Sequence, residues 1–322
     1  MDSSFSNNCT VIHESCTTAL DQPSIVSKID LSFLDPPFNQ DKSYKAWDDN
    51  LPPAQYWGWM REICAKVYAL TTDGGAIYFM QREKNTEFVL QCLRATGWTF
   101  QNLVIWKKKT SAVPGLKRFG KHYQVIAFAT KGKTPRVFNR LRINPPLPAG
   151  YRYQRENGVF VTDVWDDIRE LTSGYFAGDE ALRDAAGGRL HKQQTPIQFL
   201  LRVILSSTNP GDTVLDPFAG SGTTLVVAKQ LGRDAIGIEI DSHNVSIIQN
   251  RLAQQRKADD VSRFFNDYIC TANLETIWDY RLKESAKRHS LLDEQTIADG
   301  LSHPHDPCNT GAKQTALPEP SQ

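Results

Sequence analysis

The segment Leu34-Asp35-Pro36-Pro37-Phe38-Asn39 follows an apolar run and joins a carboxylate, two consecutive prolines and an aromatic ring. Two prolines fix φ and remove two N–H donors, so the carbonyls beside them are free to accept hydrogen bonds. At the carboxyl end of a buried strand, these groups can converge on one planar ligand. A nucleobase with an exocyclic amine fits that array. Asp-Pro is also a common strand-ending turn, so the tetrapeptide taken alone leaves both readings open.

A second segment, Gly211-Asp-Thr-Val-Leu-Asp216-Pro217-Phe218-Ala-Gly220-Ser221-Gly222-Thr223-Thr224, reads as a short strand, a glycine-rich turn and the start of an amphipathic helix. The glycines let backbone approach a ligand closely, and the helix start offers free N–H groups. A phosphate loop would need Gly-Lys-Ser/Thr and a dinucleotide fingerprint would need Gly-x-Gly-x-x-Gly; neither is written here. Asp216 at the strand end would repel a phosphate and suits a ligand carrying an ammonium or sulfonium, as S-adenosylmethionine does. About 20 residues further on, Glu239 ends the next strand, where α/β nucleotide sites place a carboxylate on the ribose hydroxyls. A surface acid capping the following helix is the alternative.

These residues need a sheet to hold them. Strand-like runs lie at Ile29–Leu34, Ala76–Met80, Asn102–Trp106, Tyr123–Ala129, Thr213–Leu215 and Ala235–Glu239, each short and rich in β-branched or aromatic residues. Between them, Tyr56, Trp59, Met60, Ile63, Val67 and Leu70 recur at helical spacing, and Glu87–Ala95, Pro196–Ser206, Thr223–Leu231 and His243–Arg256 read likewise. Such alternation predicts an α/β fold with a mostly parallel sheet covered by helices. From Lys131 to Gly188 the pattern dissolves into Pro, Gly, Arg and Tyr, predicting an insert. The Pro-rich end of the chain, including His303, His305 and Cys308, predicts a loose tail, largely disordered after about residue 290.

The 322-residue chain carries 37 basic and 36 acidic residues, a net charge of +1. That balance conceals a segregation. Phe88 to Arg155 holds 14 Lys and Arg and no acid, leaving 23 basic against 36 acidic residues elsewhere. Lys107, Lys108, Lys109, Lys117, Arg118, Lys121, Arg136, Arg140 and Arg142 all lie in this stretch and are candidate contacts to a polyanion such as DNA. A solvated charged surface is the competing reading. Six cysteines at irregular spacings, with no Cys-x-x-Cys, predict reduced thiols and no metal site. The polar N-terminus and the lack of a long apolar run predict a cytoplasmic protein with no membrane span.

Taken together, the two loops resemble those of the β-group DNA amino-methyltransferases, enzymes that methylate adenine N6 or cytosine N4 with S-adenosylmethionine. Asp35-Pro36-Pro37-Phe38 resembles the catalytic loop and Asp216-Pro-Phe-Ala-Gly-Ser-Gly-Thr-Thr224 the cofactor loop; His191-Lys-Gln-Gln-Thr-Pro196 is similar to the family's His-Pro-Thr-Gln-Lys-Pro. Further echoes are Asn102–Lys107 and His122–Phe128, and together these cover roughly residues 11 to 255. The catalytic loop precedes the cofactor loop, which implies a circularly permuted Rossmann-like methyltransferase sheet. The implied organisation is a catalytic half over 1–130, a target-recognition insert over 131–188, a cofactor-binding half over 189–257 and an extension over 258–322.

The resemblance implies duplex DNA as partner, and leaves open a separate cognate restriction endonuclease and a homodimer. It implies cofactor contacts from Asp216, Pro217, Phe218, Gly220, Ser221, Gly222, Thr223, Glu239, His191 and Ser15. Ser15 stands where the family's Gly-Asp-Cys carries its Asp, with Glu14 the alternative carboxylate. Asp35 and the Pro36 or Pro37 carbonyl would accept the two amino hydrogens while Phe38 stacks on a flipped base. A loop that begins with Asp points to adenine N6, with cytosine N4 the alternative. A more distant alternative is an inactive nucleic-acid-binding homologue. Methylation of RNA or of a protein amide is a third reading; in protein-amide enzymes of similar fold the loop begins with Asn and follows the cofactor loop, so residue and order both differ here.

Overall fold

A computed structural model describes residues 8–22, 25, 28–42, 47–110, 114–145, 155–171, 178–184, 186–190 and 194–278. His191 and the predicted tail beyond residue 278 lie outside the described residues.

In chain order the elements are β1 (Cys9–His13), α1 (Cys16–Ala19), β2 (Ile29–Leu34), α2 (Pro53–Leu70), β3 (Thr71–Arg82), α3 (Thr86–Ala95), β4 (Thr99–Lys107) and β5 (Tyr123–Thr130). They continue with β6 (Arg142–Ile143), β7 (Val159–Phe160), β8 (Val164–Trp165), α4 (Ile197–Ser207), β9 (Thr213–Asp216), α5 (Thr223–Gln230), β10 (Asp234–Glu239), α6 (Ser242–Ala253) and α7 (Leu274–Ile277). Each strand expected from the sequence is present. β1 was not among them: at five residues with only intermediate or exposed positions, it lacks the buried apolar run that marks the others.

Eight strands form one sheet in the order β1-β10-β9-β2-β3-β5-β4-β8. All neighbours are parallel except β5, which runs antiparallel to both β3 and β4. Alternation along the strands sends side chains to two cores. Leu31 and Phe33, Tyr78 and Met80, Ile126 and Phe128 meet α4 and α5 on one face. Ile29 and Leu34, Ile77 and Phe79 meet α2 and α3 on the other.

The stretch expected as an insert does not build a core of its own in its described parts. Leu141, Trp165 and Ile168 are buried in the core shared with α4, and β8 lengthens the sheet beside β4. The five described cysteines are free thiols. No helix among the described residues is long and apolar enough to cross a membrane.

Candidate active site

The sheet order brings the two loops together. β2 and β9 are parallel neighbours with Ser32 opposite Leu215, so Asp35 and Asp216 emerge from adjacent strands at the same edge. On the far side of β9, β10 places Gly237 opposite Asp216, and β1 places His13 opposite Glu239. Glu14, Asp35, Asp216 and Glu239 therefore end neighbouring strands and line one pocket, together with Ser15, Pro36, Pro37, Pro217, Phe218, Gly220, Ser221 and Thr223. This is the carboxyl-end crevice where open α/β sheets bind ligands.

Around Asp35 the polar groups are unevenly committed. Thr195 Oγ1 donates to Asp35 Oδ2 at 3.0 Å, while Oδ1 has no partner among the described residues. The Pro37 carbonyl accepts from Tyr56 Oη at 2.7 Å, and Gln81 Nε2 donates in turn to that hydroxyl at 3.0 Å. Of the two proline carbonyls expected to accept from a base, this leaves Pro36 without a partner among the described residues. The loop's return is fixed by Asp49, 2% exposed, whose carboxylate accepts from the backbone N–H groups of Asn39, Gln40 and Lys42. Asn39 and Asp41 hold left-handed φ angles of 52° and 59° there, a conformation that costs a non-glycine residue and persists when such bonds over-determine it.

Phe38 is placed differently from the expectation. Its ring is 5% exposed and belongs to the buried core cluster rather than to the pocket wall. Replacing Tyr56 by Phe should leave the Pro37 carbonyl and Gln81 without their shared partner, a loss of about 1–3 kcal/mol for a buried group. Urea unfolding and kcat measured together test this, and both should fall; an unchanged kcat would show that the loop is held without Tyr56.

In the cofactor loop, Asp216 Oδ1 accepts from Phe218 N–H at 3.0 Å and Oδ2 from Thr224 Oγ1 at 2.5 Å. Glu239 binds backbone rather than standing free: Oε2 accepts from Gly220 N–H at 2.7 Å and Oε1 from Asp241 N–H at 2.8 Å. Gly220 and Gly222 take φ of 53° and 77°, and a Cβ on Gly222 would sit 2.7 Å from Ile248. The turn is therefore closed to side chains where it passes under α6.

Burial pushes the Asp216 carboxyl up to about 7; the bonds from Thr224 and Phe218 oppose this, and the nearby charges of Asp35 and Glu239 add to it. Burial also raises Glu239. Clustered carboxylates with raised pKa values favour a cationic ligand, whose charge relieves both desolvation and mutual repulsion. The sign follows: below pH 7 Asp216 is mostly protonated and must ionise to pair with a cation. Affinity for S-adenosylmethionine should therefore rise with pH toward 8, by up to about tenfold per unit below the pKa. Calorimetry across pH 6 to 8 reads this directly, and a flat profile would detach Asp216 from the ligand.

The walls also fit that cofactor. Phe218 meets Trp59 edge to face at 5.7 Å, and Trp59 stacks on Trp47 at 4.3 Å, giving an aromatic wall for an adenine ring. Trp47 Nε1 is buried with no hydrogen-bond partner among the described residues, a donor that a polar ligand would satisfy. Ser15 caps α1, its Oγ accepting from Thr18 N–H, so the pocket carboxylate from this strand end is Glu14. Ser15 lines the pocket as well, and the carboxylate there comes from Glu14, the alternative that the sequence offered one position earlier.

The nine basic candidates are scattered. Arg136 pairs with Asp30 and Asp212 at the opposite, amino end of β2 and β9, away from the pocket. Arg140 and Arg142 lie over the Phe160 ring of the small β6–β7 sheet, at 4.2 and 3.9 Å. Lys107 faces Asp166, Lys121 pairs with Glu83 at 2.8 Å, and the Lys109 backbone N–H binds Glu170. Lys108 folds over Trp106 and acts electrostatically on Asp35; burial lowers its pKa against the pull of Glu170 and Asp35. Lys117 and Arg118 occupy an exposed turn with no carboxylate partner among the described residues.

The sequence matches the DNA methylase model for N6 and N4 methyltransferases over residues 29–250, a span that includes both loops. It is 32% identical to the DNA adenine methyltransferase YhdJ of Escherichia coli (strain K12), over 76% of this chain and 82% of that protein. It is 29% identical to the type II methyltransferase M.HpaI of Haemophilus parainfluenzae, over 70% of this chain and 68% of that one. Two solved structures share the fold: the M1.HpyAVI–SAM complex, at TM-score 0.52 and 22% identity over 76% of this chain and all of that one, and the PvuII DNA methyltransferase (cytosine-N4-specific), at TM-score 0.56 and 17% identity over 81% and 92%. With strand order, both loops and the sequence match in agreement, the chain belongs to the DNA methylase family, the S-adenosylmethionine-dependent amino-methyltransferases of DNA.

Proposed function

We propose that the protein transfers a methyl group to the exocyclic N6 of adenine at a specific sequence in duplex DNA. The observation that carries this is the pair of acceptors without a partner among the described residues, Asp35 Oδ1 and the Pro36 carbonyl, beside a pocket suited to a cation. An adenine amine is a weak nucleophile because its lone pair is delocalised into the ring. Two acceptors on its hydrogens draw the nitrogen toward tetrahedral geometry and aim the lone pair. S-adenosylmethionine supplies an electrophilic methyl group on its sulfonium. Glu14, Trp59, Asp216, Phe218 and Glu239, with the turn at Gly220–Thr223, would hold it.

The Asp that opens the loop and the likeness to an adenine methyltransferase favour adenine over cytosine N4. Because the amine is paired inside a duplex, the base must leave the stack to reach Asp35. Residues 131–188 contribute target recognition, and a cognate endonuclease, where one is present, acts as a separate protein in the same cytoplasm. Self-association to a homodimer is a further part of this reading. Incubating the protein with labelled S-adenosylmethionine and unmethylated plasmid DNA, then hydrolysing the DNA to nucleosides, tests the reading. Label in N6-methyladenine is the expected result; label in N4-methylcytosine would overturn the choice of base, and none in DNA the whole reading.

A further inference from the structure

The ends of β4 and β5 project a hairpin extension beside the catalytic loop. β4 is antiparallel to β5, β5 to β3, and β3 is parallel to β2, so β4 ends at the same edge of the sheet as Asp35. The ladder continues one step beyond the strands, with Lys108 N–H donating to His122 O at 2.8 Å. The two stems are anchored there: Lys108 lies in the electrostatic neighbourhood of Asp35, and Lys121 pairs with Glu83 just past the end of β3.

At the tip, Gly115 and Arg118 bridge across a tight turn whose corner is Leu116-Lys117, and Phe119 follows. Leu116 is 106% exposed and Phe119 96%, far above any other apolar side chain described. Two large apolar side chains held fully in water beside Lys117 and Arg118 form a bare apolar point with a cationic collar. Water gives no reason to keep such a point, and an anionic, stacked polymer does: the cations meet phosphates while the apolar groups enter between base pairs.

We propose that Leu116 and Phe119 form a wedge that inserts into the duplex and holds it open while the target base occupies the pocket at Asp35. Lys117 and Arg118 grip the flanking phosphates. This rests on the reading of the protein as a duplex-DNA methyltransferase, and assigns to one turn the task of replacing the stacking that the departing base gives up. Wedge and grip separate energetically: the apolar pair acts on opening, the basic pair on binding.

The test compares wild type, the double variant Leu116→Ala/Phe119→Ala, and Lys117→Ala/Arg118→Ala on the same unmethylated plasmid DNA, linearised and then either left as duplex or heat-denatured and quenched to single strands. The apolar variant should lose about tenfold or more of the methylation rate on duplex, where the stack has to be opened. On single strands it should stay within about twofold of wild type, since no stack has to be opened. The basic variant should instead raise KM and lower the magnitude of the salt slope of binding by about 2. Circular dichroism and cofactor binding equal to wild type show that the exposed turn has been altered without harm to the fold. Equal duplex rates for wild type and the apolar variant would overturn the wedge while leaving the activity standing. An equal loss on duplex and single strands would also overturn it, placing the two side chains in a step other than opening. Wild type that methylates neither form would remove the activity and the wedge with it.

Discussion

Replacing Asp35 by Ala should reduce kcat by on the order of 10³-fold while leaving affinity for S-adenosylmethionine nearly unchanged. The carboxylate is bonded to Thr195 and not to any residue of the cofactor loop, so its removal takes one of the two acceptors from the amine without releasing Asp216, Gly220 or Glu239 from theirs. Equilibrium binding followed by tryptophan fluorescence, with Trp47 and Trp59 in the pocket wall, separates the two effects. Turnover retained in the variant would refute the assignment. The wild-type profile carries a second signature. Burial lifts the Asp35 carboxyl to about 6, against the Thr195 bond and the charges of Lys108 and Lys42. Only the ionised form accepts both as a charge and as a free lone pair, so kcat/KM should fall as pH drops through about 6. Asp35→Asn keeps the shape, and its residual rate should lose this acid limb.

Both loops were legible in the sequence because their signals are local. Prolines beside an Asp, and glycines between a strand and a helix, carry their meaning within a few residues. What supports them was not legible, because it comes from far along the chain. Tyr56 and Gln81 hold Pro37, Thr195 holds Asp35, and Asp49 gathers three backbone N–H groups behind Phe38. Each is an ordinary polar residue in an ordinary element until the sheet brings it to the loop. Of these, Asp49 alone is near in sequence, and nothing in the sequence sets it apart from Asp41 and Asp48 beside it.

The charge pattern is redistributed in space for a related reason. An acid-free run of sequence is not an acid-free surface: Asp30, Glu83, Asp166, Glu170 and Asp212 all come from outside the run and meet its residues in space. Lys117 and Arg118 are among the cations left with no carboxylate partner among the described residues, and the apolar tip lies with them. Local charge, once partners are subtracted, points to a smaller and sharper surface than the sequence count did.

The second large effect concerns the support of the cofactor loop. Asp259 is fully buried and accepts from Arg251 Nε and Nη2 at 3.1 and 2.8 Å and from Arg256 Nε and Nη2 at 2.9 and 2.6 Å. Arg251 spends its remaining nitrogen on the Ser221 carbonyl at 2.6 Å and Thr223 Oγ1 at 3.2 Å, so the guanidinium ties the turn to the chain beyond α6. Asp259→Ala would strand a cation that is itself 4% exposed, and breaking such a buried pair from one side costs about 3–5 kcal/mol. The midpoint of urea unfolding should fall accordingly, and cofactor affinity with it, because Arg251 is then free to leave the turn. Replacing both partners, Arg251→Met with Asp259→Leu, should recover part of the stability and none of the hold on Ser221; recovery of both would show that the turn stands unaided. Burial raises the Asp259 pKa, but the bonds from Arg256 and Arg251 outweigh it and leave the carboxyl below its ordinary value. Its contribution is therefore complete above the unfolded carboxylate pKa of about 3.9 and is lost as pH falls below it toward the folded value. Acid unfolding of wild type should steepen in that range, and Asp259→Ala should be flatter there, since the group that takes up the proton is gone.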